Sequence, residues 1–414
     1  MPELPTFSPR PHRVFSAGFY PSTDFDYEVR CVLGGAPSGT SDVGEVLATI
    51  DNVANNDHEH WFNAWHETGS RVRTAADVAA AAGHRHSASQ SYLRAATYFA
   101  VALNSVSGLT SDELLVPTFR LHRSSWDGFV DTTDRIVERV KIPYEQGILP
   151  GWFFTPGADG RARPTLVMVN GSDGAISSLW GSGAAGALAR GYNVLLFDGP
   201  GQQSMLFERG IGFRPDWEAV LTPVADFILQ RPDVDNERLA LYGISQGGYW
   251  IARALAYEHR FAAAIADPGV TDVAASWNSN IPSPLMKVFR AGKKVAFDRD
   301  MALGMKFSPQ TSRTWNFRAR PYMQGSYFDT LTEVHRYTLT DDEAAQITTP
   351  LLITDPEDEQ FWPRQSADLA DRAGGPTELS HFTAAEGANF HCQPMARLLT
   401  DERMFDWLDT ILSS

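Results

Sequence analysis

A chain of 414 residues with 43% hydrophobic content can bury a substantial core and has room for more than one domain. The 50 acidic against 35 basic side chains give a formal net charge of -15, which disfavours a nucleic-acid backbone as partner, and two distant cysteines, Cys31 and Cys392, exclude a disulfide framework or a CxxC metal or redox site. The opening MPELPTFSPRPHRVF has no apolar stretch of signal-peptide length and no segment approaches the ~20 apolar residues of a membrane span, so a cytoplasmic location with no membrane partner is expected.

From about residue 40 to 108 apolar residues recur every three or four positions, which predicts helices in SDVGEVLATIDNVA, DHEHWFNAWHETGSRVRTAADVAAAAG and SASQSYLRAATYFAVALNSV. Ser41 and Ser87 are the expected N-caps. His58, His60 and His66 lack the His-Glu-x-x-His spacing, so no metal is expected there. Trp61 and Trp65 lie four apart on one helix face, which suits core or interdomain packing and leaves a contribution to a pocket open.

The texture changes near residue 134. DRIVERVKIPYE and GILPGWFFTP read as two strands joined by a tight turn at Gln146-Gly147. Short apolar runs follow at 164–171, 192–199, 238–243, 262–269, 349–355 and 378–387, most of them separated by helical stretches. That alternation predicts an α/β fold: a mostly parallel sheet with helices on both faces and an antiparallel pair at one edge. Residues 270–345 break the rhythm, with Trp277, Met286, Phe289, Trp315 and Phe328 but no strand pattern, and are expected to form an inserted helical lid. The expected division is an N-terminal segment and helical domain over 1–133 and the sheet-bearing core over 134–414.

One corner carries chemistry. Gly243-Ile244-Ser245-Gln246-Gly247 is a G-x-S-x-G turn between a buried strand and a helix, where a strained backbone exposes the serine and glycines remove colliding side chains. A serine needs an imidazole to take its proton and a carboxylate to fix that imidazole, and the chain order on such sheets is Ser, acid, His. EGANFHCQ presents His391 on a loop before the closing helix, whereas His381 falls inside a strand and is expected to be packed. DPEDEQFWP offers Asp355, Glu357, Asp358 and Glu359. Asp358 is the expected acid, a few residues beyond the strand end, and Asp355 is the competitor closer to it.

The oxyanion of an acyl transfer needs N–H donors, expected from Gln246 and from Ser172 or Asp173 in the VNGSDG loop. The Asp173 side chain is either a helix cap or an acid/base group facing the pocket. GSGAAGA at 181–187 formally fits G-x-G-x-x-G but starts about ten residues past the preceding strand, so no dinucleotide cofactor is expected, and none of any other kind. Cys392 reads as a small packed residue beside the base.

The serine turn, VNGSDG, LLFDGPGQQ, DPEDEQFW, EGANFHCQ and the helical segment with SYLRAATYF together resemble one branch of the α/β-hydrolases. That branch contains 2,6-dihydroxypseudooxynicotine hydrolase and the fungal yellowish-green pigment hydrolases that shorten polyketides. The resemblance runs from about residue 40 to the end and implies an α/β-hydrolase core with an N-terminal helical domain and a lid. It implies Ser245 as nucleophile, Asp358 as acid and His391 as base. Asp173 stands where the nicotine-degrading enzyme has a glutamate near its substrate, and the shorter side chain departs from that pattern. The implied reaction is hydrolysis of a carbon–carbon bond beside a ketone in a bulky small molecule. The same residues suit an esterase, peptidase or acyltransferase, and the fold also suits a ligand-binding protein without turnover. A homodimer through the helical surface is left open.

Overall fold

The computed structural model describes residues 18–145 and 147–413. The opening segment and Gln146, half of the turn expected between the first two strands, lie outside the described residues.

Among the described residues five α-helices precede the sheet: α1 (Thr23–Gly34), α2 (Val43–Ile50), α3 (His58–Ala81), α4 (Arg85–Ser105) and α5 (Leu115–Thr132). Helix α1 precedes the helical stretch expected from the sequence, and α5 follows it. Phe25, Val29 and Val32 recur at helical spacing and bury the inner face of α1. The expected caps move. Asp42, not Ser41, caps α2, because its carboxylate accepts the Gly44 and Glu45 amides while Ser41 Oγ donates to the Val32 carbonyl. Ser87 lies inside α4, since Gly83 at φ 80° turns the chain and the helix restarts at Arg85.

Eight strands form one sheet in the order β1-β2-β4-β3-β5-β6-β7-β8. They are β1 (Ile136–Tyr144), β2 (Gly147–Thr155), β3 (Arg163–Val169), β4 (Asn193–Phe197), β5 (Val234–Ile244), β6 (Ala263–Asp267), β7 (Leu351–Pro356) and β8 (Thr377–Phe382). β1 pairs antiparallel with β2 and β2 with β4, whereas all pairs from β4 to β8 are parallel. The antiparallel edge and the parallel remainder are as expected.

The inner strands β3, β4, β6 and β7 are buried on both faces, and the alternation along the sheet divides the core in two. Val167, Leu195 and Leu241 face the helices Glu218–Ile228 and Gly247–Leu255, which bring Trp217 and Trp250. Their neighbours Leu166, Leu196 and Tyr242 face Trp126 of α5 and the closing helix Arg397–Ser413. Between β6 and β7 the named elements are all helical, and Phe297, Met301 and Leu331 gather there in a small apolar cluster of their own. Asp198, at the end of β4, is buried and takes a 2.6 Å bond from Arg123 of α5, which ties the helical layer to the sheet. No described helix is long and apolar enough to cross a membrane.

Candidate active site

The carboxyl ends of β3, β5, β6 and β7 meet at one edge of the sheet, the usual position for ligand sites in open α/β sheets. There β5 hands over to the helix Gly247–Leu255 through Ser245, whose φ of 57° is costly for a side chain with a Cβ. Its N–H donates to the Asp267 carbonyl at 2.6 Å and pins the turn. A Cβ on Gly243 would lie 2.4 Å from the Gly247 carbonyl oxygen, so the turn closes only with glycine there. Below it, the buried Asp267 carboxylate accepts from Thr354 at 2.7 Å, Tyr242 at 2.8 Å and Arg397 at 3.2 Å. A buried charge so fully bonded holds its surroundings in one arrangement.

His391 reaches this serine from the loop after β8. Its Nε2 lies 2.9 Å from Ser245 Oγ, and its Nδ1 lies 2.8 and 2.9 Å from the two oxygens of Glu359. The residue is also held through its backbone: the His391 main-chain N–H donates to Gln360 Oε1 at 2.9 Å and its main-chain carbonyl accepts from the Tyr27 hydroxyl at 2.9 Å. Glu359 also accepts the Phe361 and Trp362 amides at 2.9 and 3.1 Å. Burial alone would raise the Glu359 carboxyl. The charge on His391, its hydrogen bond and the two amides outweigh that and hold the group below the ordinary glutamate value.

The carboxylate against His391 is thus Glu359, not Asp358 as expected. Asp358 forms a one-residue bridge with Phe390, its N–H donating to the Asn389 carbonyl at 2.8 Å. In that extended register the next side chain points to the opposite side, toward the imidazole. The exposed Asp358 carboxylate instead accepts from Asn389 Nδ2 at 2.6 Å. The other competitors pair with each other: His381 and Asp355 face one another across β7 and β8 at 2.7 Å. His381 is 67% exposed there, so it is a surface residue and not the packed one expected.

A cavity of about 670 Å³ opens above Ser245. Gln246, Ser172 and Asp173 line it, and a Cβ on Gly171 would sit 2.9 Å from Ser245 Cβ, so the 171–173 turn lies directly against Ser245. Trp61 contributes to the wall and stacks on Phe25 at 4.0 Å. Trp65 does not reach the cavity. It is buried against Tyr98 within the helical layer, because a step of four residues along α3 carries it past the opening. The helical segment between β6 and β7 supplies Trp277 and Tyr322, and the Tyr322 hydroxyl accepts from Gln246 Nε2 at 3.5 Å.

The sequence reading missed the wall formed by α1. Asp24, Tyr27, Glu28 and Cys31 all line the cavity and are spaced three or four apart along one helix face. The signal lay in TDFDYEVRCVLG, whose apolar stripe of Phe25, Val29 and Val32 alternates with this polar one. Gly181, Gly183 and Gly186 lie within a helical kink over 176–189 and not on a strand-to-helix turn. Cys392 is buried, its thiol donating to the Asp267 carbonyl at 3.2 Å. Among the described residues no cluster of three or more His, Cys, Asp or Glu could hold a metal.

Residues 166–397 match the model of the alpha/beta hydrolase family. The chain belongs to this family. Among its curated relatives, Hydrolase LUC6 of Fusarium sp is 31% identical over 406 residues, covering 94% of this chain and 97% of that protein. The 20-hydroxy-prefusarin hydrolase FUS2 of Gibberella moniliformis is 29% identical over 415 residues, covering 96% and 98%. The crystal structure of 2,6-dihydroxy-pseudo-oxynicotine hydrolase superposes with a TM-score of 0.72 at 20% identity, over 92% of this chain and 95% of that one, and so shares its fold. In this alpha/beta hydrolase the helical layer, the sheet and the helical segment between β6 and β7 all contribute to the cavity above Ser245.

Proposed function

We propose that this alpha/beta hydrolase is a serine hydrolase with a Ser245–His391–Glu359 relay, cleaving a carbon–carbon bond next to a ketone in a bulky, carbonyl-bearing small molecule of polyketide type. The observation that carries the reading is the imidazole of His391, held between Ser245 Oγ at 2.9 Å and Glu359 at 2.8 Å, beneath a walled cavity. Glu359 accepts the Nδ1 proton, so Nε2 is left as an acceptor for the serine proton. Ser245 Oγ adds to the substrate carbonyl as His391 takes its proton. The Gln246 amide and those of the Ser172–Asp173 turn face the same space and stabilise the oxyanion. Collapse expels the carbon group as an enolate, which takes the proton from His391. Water activated by His391 then releases the acyl group from Ser245.

The volume of the cavity falls in the range of small-molecule sites of ~300–1,000 Å³, and its aromatic walls suit a large, partly apolar substrate. The near full-length similarity to a hydrolase named for 20-hydroxy-prefusarin supports a substrate of comparable bulk. The test combines labelling with product analysis. A fluorophosphonate should add once, at Ser245, as read by intact mass and peptide mapping, and Ser245→Ala should take none. A diketone should be split into an acid and a ketone. Absence of an adduct on the folded protein would overturn the serine mechanism, while adduct formation with cleavage of esters alone would overturn the carbon–carbon assignment.

A further inference from the structure

Glu28 lines this cavity and takes no part in the relay. It projects from α1 beside Tyr27, whose hydroxyl bonds the His391 carbonyl at 2.9 Å, and it lines the same cavity as Ser245. Across the space stands Asp173, in the turn that lies against Ser245. Glu28 therefore shares one cavity with His391 and with the 172–173 turn, and it feels the charge of Asp173. Glu28 is half-buried, and among the described residues no hydrogen bond or ion pair reaches its carboxyl group.

We propose that Glu28 donates a hydrogen bond to the carbonyl oxygen of the departing carbon group, where the negative charge of the enolate collects. The inference rests on the carbon–carbon hydrolase reading. A C–C bond breaks only if the leaving carbon can spread its electron pair onto an oxygen, and that oxygen lies one carbonyl away from the oxyanion held by Gln246 and the 172–173 turn. A second donor is therefore needed. In the step itself, the bond from acyl carbon to the neighbouring carbon breaks, its electron pair becomes the enolate, and the enolate carbon takes the proton that His391 received from Ser245. Glu28 shares its proton in the hydrogen bond and retains it throughout, so no additional proton or electron is required.

The surroundings suit a neutral donor. Burial, then the negative charges of Asp173 and Asp24, push the Glu28 carboxyl up to about 8, so it holds its proton at neutral pH. On α1 itself the titratable neighbours are Asp24, Tyr27 and Cys31; the turn after β3 brings Asp173, α3 brings His58 and the loop after β8 brings His391. Burial raises the Tyr27 hydroxyl, so it stays neutral through this range.

The experiment compares benzoylacetone, which loses an enolate, with nitrophenyl acetate, which loses a phenolate that needs no such donor. Removing one preorganised donor of this kind costs about a hundredfold in kcat. The benzoylacetone-to-nitrophenyl acetate turnover ratio is expected to fall about that far in Glu28→Ala. It should stay within about threefold in Glu28→Gln, whose amide still donates. The parent should lose benzoylacetone turnover as pH rises through about 8, where Glu28 loses its proton, while Glu28→Gln should not. The Gln variant also keeps the test open if the Ala variant fails to fold. An unchanged ratio in Glu28→Ala, or the same alkaline loss in Glu28→Gln, would overturn the assignment of Glu28 alone. A parent protein that takes fluorophosphonate and cleaves the ester but never benzoylacetone would overturn the carbon–carbon reading and this inference with it.

Discussion

Replacing Glu359 by Gln removes one charge at constant shape. The Glu359 oxygens lie 2.8 and 2.9 Å from His391 Nδ1, and one of them also accepts the Phe361 and Trp362 amides at 2.9 and 3.1 Å. In the variant the amide oxygen keeps those two backbone bonds, which turns the NH2 group toward Nδ1. Nδ1 must then accept, its proton moves to Nε2, and the nitrogen facing Ser245 can no longer take a proton. The imidazolium formed during attack also loses its counter-charge. At 2.8 Å and an effective dielectric constant of about 20 that interaction is worth about 6 kcal/mol, or roughly ten-thousandfold in rate. The assay is the rate of Ser245 labelling by a fluorophosphonate, together with nitrophenyl acetate turnover. Asp358→Asn serves as the comparison and is expected to stay within about threefold of the parent, because surface substitutions of this kind change little. A Glu359→Gln protein that keeps more than a tenth of the parent rate, or an Asp358→Asn protein that loses as much, would refute the assignment of the acid.

Gly243→Ala places a methyl group 2.4 Å from the Gly247 carbonyl oxygen, so denaturant unfolding should show a loss of about 1–3 kcal/mol and labelling of Ser245 should slow with it. Arg397→Met leaves the buried Asp267 with its two hydroxyl donors but no counter-charge, and about 3–5 kcal/mol should be lost in the same measurement. His122 is fully buried, donates from Nδ1 to the Ala96 carbonyl at 2.8 Å, and is pushed by burial down to about 3. Its neutral form is the folded one, so its contribution is complete above pH ~6.5 and declines as pH falls from there to about 3. His122→Gln should flatten the acid side of the stability curve by one proton. Glu359 acts in a lower window: its carboxyl lies below the ordinary value, so its contribution is complete above about pH 4.3 and is lost as pH falls through its folded value. The stability gap between parent and Glu359→Gln should therefore narrow only below about pH 4.3.

Features set by local pattern were legible in the sequence. The inner strands β3, β4, β6 and β7 fall on short apolar runs, because a strand buried on both faces must be apolar at nearly every position. The serine turn was equally plain, since Gly243 stands where a side chain would strike the backbone of Gly247. His391 could be separated from His381 by its place on a loop after the final strand, and Trp61 announced a packed face with access to the cavity.

The acid could not be read in the same way. Asp358 and Glu359 are adjacent carboxylates in one turn, and which of them meets the imidazole depends on the bridge between Asp358 and Phe390, a pairing between segments 32 residues apart. Helix α1 was hidden for a related reason. Its spacing marks an amphipathic helix, but nothing in that spacing tells whether Asp24, Tyr27, Glu28 and Cys31 face water or a cavity. The sequence determined the strands, the exposed serine and the supply of histidines and carboxylates, because these follow from sterics and burial within a few neighbouring residues. Which carboxylate meets His391 and which polar face closes over Ser245 were decided only by tertiary packing, since both depend on segments brought together from distant parts of the chain.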